Sequence, residues 1–145
     1  MTHPPKDIRD KAIRHVAGGQ ALAPGLYLVA TPIGNMRDIT LRALDVLGAA
    51  DLVLAEDTRV TRRLLDAYDI KAKVRAYHDH NAERVRPDVL EALADGGIIA
   101  LVSDAGTPMV SDPGYKLARS VIDEGQRVLA IPGASAALTA LCIAG

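Results

Sequence analysis

Five times between Gly25 and Gly145 a short, mainly apolar run is followed by small or turn-forming residues and then by a segment with helical spacing. The runs are Leu26 to Ala30, Leu52 to Ala55, Val74 to Tyr77, Ile98 to Val102 and Val128 to Ile131. Runs of this length that are apolar without alternation leave no face for water, so they predict strands covered on both sides. Regular β/α alternation then gives an α/β fold: a five-stranded, mostly parallel sheet flanked by helices.

The helix signals agree. Asp38 and Thr58 are expected as N-caps, and Val60, Leu64 and Tyr68 recur at helical spacing. Asp112 precedes Pro113 as a cap before a first-turn proline, while Gly96-Gly97 and Gly125 stop the preceding helices. Pro87 falls inside a pattern that begins at Asn81, so that helix either starts at the proline or kinks there. The last helix is expected from about Ala134. Residues 1–24 show no sustained pattern and are read as a mobile tail with one short helix from Asp7 to Val16. Residues 25–145 form the domain, and because the chain stops one or two turns after a loop expected to belong to a site, a further C-terminal domain is expected outside it.

Composition narrows the function classes. The chain of 145 residues has no Phe and no Trp, so its core is aliphatic, and base stacking on aromatic side chains is limited to four tyrosines. A net charge of −1 gives no overall basic footprint for nucleic acid. The single Cys142 excludes an internal disulfide and a zinc spacing. No signal-peptide core and no membrane-length apolar run is present, and the expectation is a soluble, cytoplasmic protein with no membrane partner.

The loops after the first, fourth and fifth runs are Thr31-Pro-Ile-Gly-Asn35, Ser103-Asp-Ala-Gly-Thr-Pro-Met-Val-Ser-Asp-Pro-Gly114 and Ile131-Pro-Gly-Ala-Ser-Ala136. In a parallel sheet all three sit on the carboxyl edge, where ligands of open α/β sheets bind. None has the Gly-x-Gly-x-x-Gly or Walker pattern, so a pyrophosphate is not the expected ligand. Rigid turns of small residues instead bring backbone N–H and C=O groups up to a neutral or zwitterionic molecule.

Three further segments are distinctive: Ala55-Glu-Asp-Thr-Arg59, Tyr77-His-Asp-His-Asn81 and Ser111-Asp-Pro-Gly-Tyr115. Together with the three loops, in this order, they resemble the rRNA 2′-O-methyltransferase branch of the tetrapyrrole (class III) methyltransferase superfamily, over Gly25 to Gly145. The resemblance implies S-adenosylmethionine as methyl donor, held in a cleft between this domain and a C-terminal one. It also implies 2′-O-methylation of a cytidine in the decoding region of small-subunit rRNA, as free rRNA or the assembled 30S subunit, by a homodimer. Carried over by position, Pro32, Ile33 and Gly34 would touch the donor, Asp104 and Gly106 would hold the fourth-strand turn, and Thr107 and Val110 would lie beside the methionine moiety. Gly133 and Ala134 complete the donor set, and Thr107 replaces an acid of the superfamily, so a hydroxyl contact stands in for a charged one. A chain that covers the donor on one side only is expected to be inactive alone.

Methyl transfer to a ribose hydroxyl calls for a base, and Glu56, His78 and His80 are the candidates, with Arg59 for a neighbouring phosphate. Each has a plainer role: Glu56 and Arg59 in a capped, solvated helix start, and the histidines as hydrogen-bonding groups at a strand end. Two histidines two residues apart, without further ligands at suitable spacing, do not make a metal site, and no metal is expected. Asp112 reads as a cap and Cys142 as packing on an apolar helix face. The alternative functions are another enzyme of the superfamily, acting on a corrin or porphyrin precursor or a modified histidine of the diphthamide type, and a non-enzymatic small-ligand binding module.

Overall fold

The structure is a computed structural model that describes residues 21–108 and 113–145. Five strands, β1 (Gly25–Val29), β2 (Leu52–Ala55), β3 (Val74–Ala76), β4 (Ile98–Val102) and β5 (Val128–Ile131), form one sheet in the order β3-β2-β4-β1-β5. Every neighbouring pair is parallel. The helices are α1 (Leu41–Ala49), α2 (Thr58–Ala67), α3 (Ala82–Ala94), α4 (Gly114–Asp123) and α5 (Ala136–Ala144), with a 3-10 turn at Met36–Asp38.

Alternation along the strands divides the core in two. Tyr27 and Val29 of β1 and Ala100 and Val102 of β4 face α1 and α2, which contribute Leu44, Leu47, Leu64 and Leu65. Leu26, Ile99 and Leu101 point the other way, onto Val85, Val89 and Leu93 of α3 and Leu117 and Val121 of α4. Each fully buried aliphatic side chain contributes roughly 1.5–3 kcal/mol, and with no Phe or Trp this aliphatic packing carries the fold. Among the described residues no helix is long and apolar enough to cross a membrane.

Several helix starts differ from expectation, each for a local reason. Asp38 does not cap α1. It lies in the 3-10 turn, which Asn35 closes by accepting the Arg37 N–H at 3.0 Å, and α1 begins after Thr40, whose Oγ1 accepts the Ala43 N–H at 3.1 Å. Asp57, one residue earlier than Thr58, caps α2. Helix α3 runs through Pro87 instead of starting at it; Pro87 and Glu83, whose carbonyl loses its N–H partner, are both exposed residues. The last helix starts at Ala136, capped by Ser135. Of the expected tail, residues 1–20, with the short helix from Asp7 to Val16, lie outside the described residues; Leu22 already packs against the α1–α2 side of the core. Asp112 also lies outside them. Cys142 is exposed, not packed, because α5 has no buried residue.

Candidate functional site

β1 and β4 are neighbours, yet the chain leaves β1 towards α1 on one face and β4 towards α4 on the other. Such a switch point opens a crevice at the carboxyl ends of the two strands. The first and fourth loops are tied across it: the Thr31 N–H donates to the Gly106 carbonyl at 2.9 Å and the Gly106 N–H returns to the Thr31 carbonyl at 3.0 Å. The Thr31 hydroxyl donates to the Ser103 carbonyl at 3.3 Å. The fifth loop joins through the Thr107 hydroxyl, which donates to the Ala134 carbonyl at 3.0 Å.

Gly106 stands where the loops meet. Its φ of +79° is a conformation L side chains rarely adopt, and a Cβ there would lie 3.3 Å from Ile33 Cγ2 and 3.6 Å from the Ala134 carbonyl oxygen. Gly133 is required for a different reason, since its Cβ would come within 2.9 Å of the Ala30 Cβ. The structure thus brings Ile33, Gly106, Thr107, Gly133 and Ala134 to one part of the edge. Val110 lies outside the described residues.

A pocket of about 230 Å³ opens beside this junction, with Pro32, Met36, Val60 and Leu64 as apolar walls. Ser103, Asp104 and Arg63 bring polar groups to it, and Gly34 and Thr31 complete the side towards β1. The fifth loop does not line it; its third wall is α2 instead. Those α2 residues and Met36 were not among the expected site residues. The available signal was Val60 and Leu64, four apart directly after Glu56-Asp-Thr-Arg59, with Val60 on the turn nearest the sheet edge. Met36 is held by a hydrogen bond of 2.5 Å from the Tyr68 hydroxyl to its carbonyl, and burial pushes that phenol above its ordinary pKa.

The second loop is joined to the fourth. The Asp57 N–H donates to Asp104 Oδ1 at 3.0 Å. The Asp57 carboxylate accepts from the Arg59 N–H at 2.9 Å and grips the Arg59 guanidinium at 3.1 and 2.8 Å. These bonds lower the Asp57 pKa to about 2, the side-chain bond from Arg59 being the largest cause, and turn an 85% exposed guanidinium towards Asp57. Glu56 is exposed next to this pair.

His78 and His80 are elsewhere. They follow β3, the edge strand, three positions from β1 in the sheet, about 14 Å at the usual ~4.8 Å strand spacing. Their rings meet edge to face at 5.9 Å. His78 is half-buried with Nδ1 unpartnered, and its backbone N–H donates to Asn81 Oδ1 at 2.9 Å, closing the turn into α3. Neither lines the pocket.

Comparison with known proteins matches residues 25–145 to the tetrapyrrole (corrin/porphyrin) methylases. A protein of Mesorhizobium japonicum called ribosomal RNA small subunit methyltransferase I is 60% identical over 124 residues, covering 86% of this chain and 42% of that protein. Its namesake from Neisseria meningitidis serogroup B is 52% identical over 135 residues, covering 93% of this chain and 45% of that protein. The chain therefore spans less than half the length of these relatives. Among solved structures, uroporphyrin-III-C-methyltransferase from Thermus thermophilus superposes with a TM-score of 0.62 at 26% identity, over 81% of this chain and 53% of that one. By its sheet, its loops and these matches, the chain belongs to the tetrapyrrole (corrin/porphyrin) methylase family.

Proposed function

We propose that this chain is the donor-binding part of an S-adenosylmethionine-dependent methyltransferase that modifies the 2′-hydroxyl of a cytidine in the decoding region of small-subunit rRNA, free or in the 30S subunit. The observation that carries the reading is the meeting of three strand-end loops at Ile33, Gly106, Thr107 and Ala134. The residues suit the donor: a glycine at the junction lets the fourth-loop backbone approach Ile33 and the Ala134 carbonyl closely, a turn surface of N–H and C=O groups that suits a zwitterionic ligand. Pro32, Gly34, Asp104, Gly133 and Val110 belong to the same proposed donor set. When bound, the donor supplies a methyl group already activated by a positively charged sulfur.

What remains for the protein is placement and proton removal. Aligning the ribose oxygen behind the methyl group is worth up to roughly 7–11 kcal/mol in favourable cases. Glu56 sits beside Asp57, which is bonded to the Asp104 loop, and this supports Glu56 over the histidines of the edge strand as acceptor of the hydroxyl proton. Arg59, fixed by Asp57, meets an RNA phosphate. Leu138, Leu141 and Ile143 of α5 are exposed by 64–84%, an apolar surface that supports a covering C-terminal domain or a second copy in a homodimer.

The names of the 50–60% identical relatives favour the rRNA reading over a tetrapyrrole substrate, which the 26% identical solved structure would suggest. The test is mass mapping of small-subunit rRNA from cells with and without the gene. One cytidine should lose the mass of a methyl group on deletion and regain it on complementation. An unchanged map, with methyl transfer to a corrin precursor instead, would reverse the choice.

A further inference from the structure

The α2-side pocket shares Pro32, Gly34 and Asp104 with the donor loops, but its wall of Met36, Val60 and Leu64 is not explained by them. Its volume of about 230 Å³ lies below the ~300–1,000 Å³ of pockets that enclose drug-sized ligands and is enough for a single pyrimidine ring. Its walls are apolar and not aromatic, so a flat ring would be packed between the Met36 thioether, Val60, Leu64 and Pro32. Arg63 lines the pocket, and the exposed Arg59 lies one helical turn before it on α2, an arrangement complementary to phosphates beside an extruded nucleotide.

One polar group in the pocket has a defined direction. Asp104 is an exposed residue that accepts the Asp57 N–H through Oδ1, while Oδ2 has no hydrogen bond among the described residues. A carboxylate only accepts. At the exocyclic position where the two pyrimidines differ, cytosine presents an amino donor and uracil a carbonyl.

We propose that this pocket receives the flipped-out pyrimidine of the acceptor nucleotide, and that Asp104 selects cytosine over uracil by accepting from its N4 amino group. The proposal rests on the reading of the protein as a cytidine methyltransferase. It gives the edge two adjoining sites, the Ile33–Gly106–Ala134 junction for the donor and the Met36–Val60–Leu64 wall for the acceptor base, with Pro32, Gly34 and Asp104 shared between them.

Asp104→Asn tests it in the full-length protein with its C-terminal domain, because an amide oxygen keeps the bond from the Asp57 N–H while the amide N–H₂ can now face a uracil carbonyl. Small subunits carrying the target cytidine or a uridine in its place are compared as substrates. Discrimination should fall at least about tenfold, the scale of one base-edge hydrogen bond, with the two subunits compared at saturating S-adenosylmethionine. In parallel, methyl NMR should show cytidine 5′-monophosphate, more than uridine 5′-monophosphate, shifting the Met36, Val60 and Leu64 signals. Wild-type discrimination in the variant, no shift at those methyls, or the same shifts from S-adenosylhomocysteine would overturn the proposal. If the wild-type protein methylates neither subunit, the functional reading falls, and the nucleotide shifts still decide the pocket.

Discussion

At Asp57 one residue connects three tasks: its carboxylate caps α2, the same carboxylate fixes Arg59, and its N–H anchors Asp104. Because the folded pKa is lowered from 3.8 to about 2, the favourable contribution of this group is present above about pH 4 and is lost as pH falls through about 2. A carboxyl-detected NMR titration should place the Asp57 midpoint near 2, and Arg59→Ala should raise it towards 3.8 while leaving the backbone cap bond intact. A midpoint unmoved by Arg59→Ala would show that the guanidinium is not held there. Gly106 and Gly133 show what single positions impose at the donor loops, where a Cβ would reach Ile33 or strike Ala30.

At the scale of elements, β2, β4 and β5 have the bounds read from their apolar runs, while β1 begins and ends one residue earlier and β3 stops one residue sooner. Helix starts were less legible. Asp38, Thr58 and Asp112 all have capping chemistry, and at the first α-helix Asn35 and Thr40 compete for the same short stretch, each closing its own turn. Pro87 shows the opposite problem, a strong breaker overruled by tertiary packing, since Val85, Val89 and Leu93 are buried on both sides of it. Pro87→Ala restores an N–H for the Glu83 carbonyl. It should stabilise the fold by about 2 kcal/mol, from ~3 kcal/mol for an interior proline less up to ~1 for the freer unfolded chain. Urea unfolding with an unchanged slope is the measurement, and a destabilised variant would mean that the helix is already relaxed around the proline.

For the molecule, among the described residues, α5 exposes Leu138, Leu141 and Ile143 and buries none of its residues. A helix of that composition is normally covered. The 145-residue chain produced by itself should therefore self-associate through α5. Leu141→Glu combined with Ile143→Glu should shift it to the monomer in sedimentation velocity, with stability changed by no more than ~0.5 kcal/mol, as expected of exposed positions. Self-association that survives both substitutions would place the sticky surface elsewhere.

The strand–loop–helix rhythm, the parallel sheet and the three strand-end loops were determined by the sequence, because apolar run length and turn chemistry are local properties. The strand order was not, and it decides the site. Placing β4 beside β1 joins Thr31 to Gly106, while leaving β3 on the edge keeps His78 and His80 away from the pocket. The wall formed by Val60 and Leu64 belongs to the same class of outcome, since which helix leans over a crevice depends on how the crossovers fold back onto the sheet. Local chemistry wrote the parts, and the non-local pairing of strands selected which of them meet.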